Sequence, residues 1–159
     1  MKLLNISTIH VIASICIFIS SSLSSIAQEI KQTKAYKYSK VTNCDANENP
    51  VETLKASGII VFSEAQGMEF FSLALGDSEV PYNGQIINKK TETMSSSKSV
   101  NIYLIKQEFH SKSVPIQVFE FFDHSKSSFV ADAFVVKILN ANTFQTVATQ
   151  LYEGITRVR

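Results

Sequence analysis

Cysteine is close to absent from this chain: two residues in 159, Cys16 and Cys44. Cys16 falls within a segment that reads as an export leader, so the exported chain keeps Cys44 alone and an internal disulfide is excluded. Cys44 lies in the polar stretch Asn43-Cys44-Asp45 with Glu48 close behind. Acidic neighbours raise a thiol pKa, so an inert, loop-borne thiol is expected rather than a nucleophile. Histidine is scarce too, three in all with His10 in the leader. An excess of either charge is lacking, because beyond the leader fourteen basic side chains face fourteen acidic ones. No strong field draws such a domain to nucleic acid or to an anionic membrane. No phosphate loop, dinucleotide fingerprint, zinc-ligand spacing or DNA-binding pattern occurs, so no cofactor is expected.

Long hydrophobic runs are missing as well. The mostly apolar stretch Ile9 to Ile19 is far shorter than the roughly 20 residues a membrane-spanning helix needs. Its context explains it: Lys2 precedes it, a serine-rich segment follows, and Ser25-Ile26-Ala27 puts small residues where a signal peptidase reads. Cleavage after Ala27 is expected, leaving Gln28 as the N-terminus and 132 residues as one domain, 28–159, in a secreted or periplasmic location without stable membrane insertion. The rival, lipidation at Cys16, is disfavoured by the bulky Ile15 before it.

What is present is strand pattern nearly throughout. Tyr36 to Val41 alternates aromatic or apolar with polar residues, Ile59-Ile60-Val61-Phe62 is a β-branched and aromatic run, and Phe71, Leu73 and Leu75 share a face. Gln85 to Thr93, Val100 to Ile105, Ile116 to Phe122 and Phe129 to Leu139 continue the series. Pro81 with Asn83-Gly84 reads as a turn, Met94 to Ser99 as a flexible loop and Asn140 to Thr143 as a hairpin loop. Residues 144–152 fit either a strand or a helical face formed by Phe144, Val147, Ala148 and Leu151. About eight mostly antiparallel strands with short turns predict an all-β domain, with barrel and sandwich both open. Lys31, Lys34, Lys37 and Lys40 read as a solvated N-terminal segment.

The residues that could carry chemistry are few. Gly76-Asp77-Ser78 resembles the start of the Gly-Asp-Ser-Leu hydrolase block, but Glu79 stands in the leucine position and a turn explains the triplet better. His110 and His124, with Glu108, Glu120 and Asp123 nearby, form at most a sparse metal site, and solvated loop histidines are the expectation. Asp132 is the unusual carboxylate, in phase with Val130 and Phe134 and so aimed at the core, at a ligand cavity or at an open end. Asp132, His124 and His110 are therefore the candidate ligand-pocket residues, with no catalytic or metal role assigned to them. The aromatic load, eleven Phe and five Tyr, puts Phe119 and Phe121 on the face opposite Ile116, Val118 and Phe122, which implies burial on both sides or a patch for a partner.

Ala35-Tyr36-Lys37-Tyr38-Ser39-Lys40-Val41, followed by Gly58-Ile59-Ile60-Val61-Phe62, resembles a group of short secreted bacterial proteins of unknown function that begin with a Tyr-Lys-Tyr strand and a Gly-Ile-Ile-Thr-Phe-like strand. Val61 replaces the threonine, and the likeness covers about the first third of the exported chain. The resemblance implies an exported β-domain and no particular activity or site. The expected role is binding, to an unknown protein or a small apolar ligand. A subunit of a secreted or envelope assembly and an unrecognised enzyme are the alternatives.

Overall fold

The computed structural model describes residues 30–75, 82–109, 112–126 and 130–158. Among them there is no helix, and the strands form one antiparallel sheet. The strands are β1 (Lys31–Tyr38), β2 (Lys40–Cys44), β3 (Pro50–Leu54), β4 (Gly58–Ala65), β5 (Met68–Leu75), β6 (Tyr82–Ser95), β7 (Lys98–Phe109), β8 (Lys112–Asp123), β9 (Ala133–Leu139), β10 (Thr146–Glu153) and β11 (Thr156–Arg157). Their order across the sheet is β11-β1-β4-β5-β6-β7-β8-β9-β10-β2-β3, which leaves β11 and β3 with one neighbour each.

That ladder cannot be flat. In a flat sheet β10 and β11 would stand eight strand spacings apart, roughly 38 Å at about 4.8 Å each. Yet only Gly154 and Ile155 separate them in sequence, a link that reaches about 10 Å. The sheet therefore rolls until its two ends meet. The meeting is a continuous pairing: Thr149 to Glu153 lie opposite Cys44 to Lys40, Ser39 N–H donates to the Glu153 carbonyl (3.1 Å), and Lys37 and Tyr36 continue opposite Thr156 and Arg157. Both partners bend at the same point. Gly154 takes φ +66°, and a Cβ there would sit 2.0 Å from the Ser39 hydroxyl, so only glycine allows the bend. The hairpin β2–β3 runs on into β1–β4 in the same way, past residues 55–57. Eleven strands stand where the alternation predicts about eight, because the chain is interrupted at Ser39, at residues 55–57 and at Gly154-Ile155.

Local chemistry sets the turns. Gln66 and Gly67 both take positive φ (53° and 74°), which matches the twist of β4 and β5. The Asp45 carboxylate accepts the N–H groups of Asn47 and Asn49, both at 2.9 Å, and Asn140 Oδ1 accepts those of Asn142 and Thr143. Side chains on the inner face fill the roll: Tyr36, Tyr38, Ile60, Phe62, Phe71, Leu73, Tyr103, Ile105, Ile116, Val118, Phe134, Val136 and Tyr152 form the core. Rings pack across it, Tyr36 to Phe134 at 5.2 Å, Phe62 to Tyr103 at 5.0 Å and Tyr38 to Tyr152 at 5.0 Å.

Four expectations need correction. Asn83-Gly84 is no turn but part of β6, where Gly84 lies opposite Phe71 and a Cβ would meet the Ile105 side chain at 2.5 Å. Met94 to Ser99 is no flexible loop: Met94 and Ser95 end β6, Lys98 and Ser99 begin β7, and only Ser96 and Ser97 turn the chain. Cys44 ends a strand instead of lying in the loop, and is half-buried and free. Lys34 is not solvated but reaches into the interior, because it shares the inner face of β1 with Tyr36 and Tyr38. Within residues 144–152 the chain is strand from Thr146 onward: Thr149 to Tyr152 pair with β9 on one side and β2 on the other, a two-sided bonding that no helix permits.

Candidate functional site

The inner faces of β1, β7 and β8 converge on one carboxylate. On β8 the residues Ile116, Val118 and Glu120 alternate inward, and register sets Asn101 and Phe134 beside Glu120. Glu120 is 0 % exposed. A lone carboxylate there would cost several kcal/mol, so partners are obligatory. They come from across the roll. Lys34 Nζ donates to Oε2 at 2.5 Å and Tyr36 OH to Oε1 at 3.0 Å, both from β1. From β7, Tyr103 OH and Asn101 Nδ2 donate to Oε2 at 2.7 and 3.1 Å. Oε2 takes three of the four donors and Oε1 one, and three strands are tied together through the carboxylate.

Lys34 is the member that also meets solvent. Its ammonium donates to Tyr103 OH (2.8 Å), lies 4.0 Å from the centre of the Phe62 ring and leaves 23 % of the side chain exposed. Burial pulls its pKa below the ordinary lysine value, against the opposing pull of the Glu120 charge and its hydrogen bond. The exposed side of Lys34 borders a cleft of about 240 Å³ lined by Thr33, Lys34, Phe62, Ser63, Glu69, Ile86, Lys89 and Tyr103. On its rim Lys89 Nζ holds both oxygens of Glu69, at 2.9 and 2.7 Å, between β5 and β6.

Burial raises the phenol pKa values of Tyr36, Tyr103 and Tyr152, and Glu120 adds to the rise for the first two. A folded-state pKa above the unfolded value gives stability that is present below the unfolded pKa, about 10, and lost as pH climbs past it. Spectrophotometric titration should therefore show fewer than the five tyrosines ionising before alkaline unfolding. Ionisation of all five together in a folded chain would contradict the burial.

The residues singled out by sequence lie elsewhere. Asp132 sits just before β9 and is paired with Lys126, while its N–H donates to the Phe121 carbonyl at 2.8 Å. His124 follows β8; its Nε2 meets the Ser99 hydroxyl at 2.7 Å and its ring stacks on Phe122. Neither lines the cleft. His110 lies outside the described residues, as does Gly76-Asp77-Ser78. The Ser99–His124 pair has two parts of a nucleophile constellation but no third among the described residues. The carboxylate next door, Asp123, accepts instead from the backbone and side chain of Ser125. Among the described residues no cluster of histidine, cysteine and carboxylate side chains could hold a metal ion. The functional residues that spacing missed are Lys34, Tyr36, Tyr103 and Asn101. The available signal was the shared parity of Lys34 with Tyr36 and Tyr38.

No protein-family model, curated protein or solved structure matches this chain. Among the described residues no helix is long and apolar enough to cross a membrane, which says nothing of strands.

Proposed function

We propose that this chain is an exported small-ligand-binding β-domain, rolled as a barrel, with its binding cleft at the mouth beside Lys34. The observation that carries the reading is a partly exposed ammonium held between two aromatic rings at the edge of a cleft. Ligand sites pair apolar walls with a few fixed polar groups, and here Phe62, Tyr103 and Ile86 supply the walls while Lys34, Lys89 and Glu69 supply the polar groups. Those charged groups favour a small polar molecule over the apolar one expected from sequence. Binding is preferred to catalysis because Glu120 is buried and held by four donors, and among the described residues no carboxylate orients the Ser99–His124 pair. A chemically diverse fragment set tests the proposal by thermal shift. Ligands should raise the melting temperature of the wild type but not of Ser63→Trp, which fills the cleft. Equal shifts in both proteins would refute it.

A second reading has its own observation. Phe119 and Phe121 stack on the outer face at 6.3 Å and 15°, half-buried, beside Val100, Ile102 and Val135. Such an apolar stripe suits a subunit of an assembly. Sedimentation of the wild type and a Phe119→Ser/Phe121→Ser variant distinguishes the two, since only the assembly reading expects a change in mass.

A further inference from the structure

We infer that the cleft selects a small zwitterion carrying an aromatic ring, of the size and charge layout of a free aromatic α-amino acid. The inference rests on the reading of the cleft as a binding site and concerns what that site takes. Two cations face the space, Lys34 and Lys89, and one carboxylate, Glu69. Glu120, wholly buried behind Lys34, supplies the second negative charge without being reachable. The local charge is therefore zero, with Lys89 paired to Glu69 on the rim and Lys34 paired to Glu120 behind it, and a ligand with both charges can bridge the rim pair without leaving either group unmatched. Glu69 and Lys89 are both close enough to act electrostatically on Lys34, so one small molecule can address all three.

A simple anion entering this cleft meets Lys34 and Lys89 but also faces Glu69. A simple cation meets Glu69 but faces two ammonium groups. A molecule with both charges on adjacent atoms satisfies both sides: its carboxylate accepts from Lys34 and Lys89, and its ammonium donates to Glu69. The Thr33 and Ser63 side chains border the same space. Phe62 and Tyr103 give a ring a flat surface, and Ile86 adds apolar contact. The volume, about 240 Å³, is below the usual range for drug-sized ligands, which starts at roughly 300 Å³. That volume suits a single residue.

The test uses calorimetric or NMR titration of the whole exported chain with four probes: L-phenylalanine, 3-phenylpropanoate, 2-phenylethylamine and N-acetylphenylalaninamide. L-Phenylalanine should bind about tenfold or more tighter than each of the others, since each charge-assisted hydrogen bond lost weakens binding by that order. Glu69→Gln should abolish the preference over 3-phenylpropanoate, and Lys89→Met the preference over 2-phenylethylamine. Both positions are well exposed, so the variants should fold normally. Equal binding of any singly charged probe, or retention of both preferences in the variants, overturns the inference. So does failure of all four probes to bind. If other fragments still shift the cleft in that case, the cleft remains a binding site for a different class. If none does, both readings fall.

Discussion

A methionine in place of Lys34 lowers folding stability by about 3–5 kcal/mol, the largest single-residue effect expected outside the hydrophobic core. The side chain has nearly the same length and keeps its packing against Phe62, so the loss isolates the charge. What remains is a carboxylate with 0 % exposure and only neutral donors, Tyr36, Tyr103 and Asn101. Glu120→Gln should cost less, because the abandoned partner is the one that reaches solvent. Joint replacement, Lys34→Met with Glu120→Leu, should recover most of the stability, since apolar substitutes for a buried ion pair are often close to neutral. Urea denaturation of the wild type, Lys34→Met, Glu120→Leu and the double variant closes the cycle. A coupling below about 0.5 kcal/mol would mean that the pair is no more than a surface contact.

Phe134→Ala should cost a comparable amount, about 3–5 kcal/mol, by a different route. Phe134 is 0 % exposed, and its ring lies 5.2 Å from Tyr36 and 6.3 Å from Phe62. It thus joins β9 to β1 and β4 across the interior, where contacts exist only because the sheet has rolled shut. Truncation opens a cavity walled by rings on rigid strands, which cannot collapse to fill it. Phe134→Leu, nearer in volume, should cost under about 1.5 kcal/mol. An alanine variant with near wild-type stability would show that β9 does not pack against β1 and β4.

The period-two signal carried the strands and failed at the site, for one physical reason. Parity is local, so Tyr36, Tyr38, Ile116 and Val118 could be assigned to an inner face from their own neighbours alone. Which inner faces meet is not local. Lys34 and Glu120 are 86 residues apart and touch only because the chain bends at Ser39 and Gly154 and closes. Without that closure a lysine repeating every third residue looks solvated. Gly84 misled for a related reason: glycine beside asparagine signals a turn, whereas here it makes room for Ile105 on the adjacent strand. Asp132 drew attention by its phase with Phe134, but β9 begins one residue later, and Lys126 meets the carboxylate outside the core. The helix-or-strand ambiguity of residues 144–152 was likewise decided by partners, β9 and β2, which a single segment does not reveal.

The most direct test of the binding proposal is a map of backbone amide shifts as small polar fragments are titrated into residues 28–159. Shifts should cluster at Thr33, Lys34, Phe62, Ser63, Glu69, Lys89 and Tyr103. Perturbations confined to Val100, Ile102, Phe119 and Phe121, or scattered without a centre, would contradict a ligand cleft at the mouth.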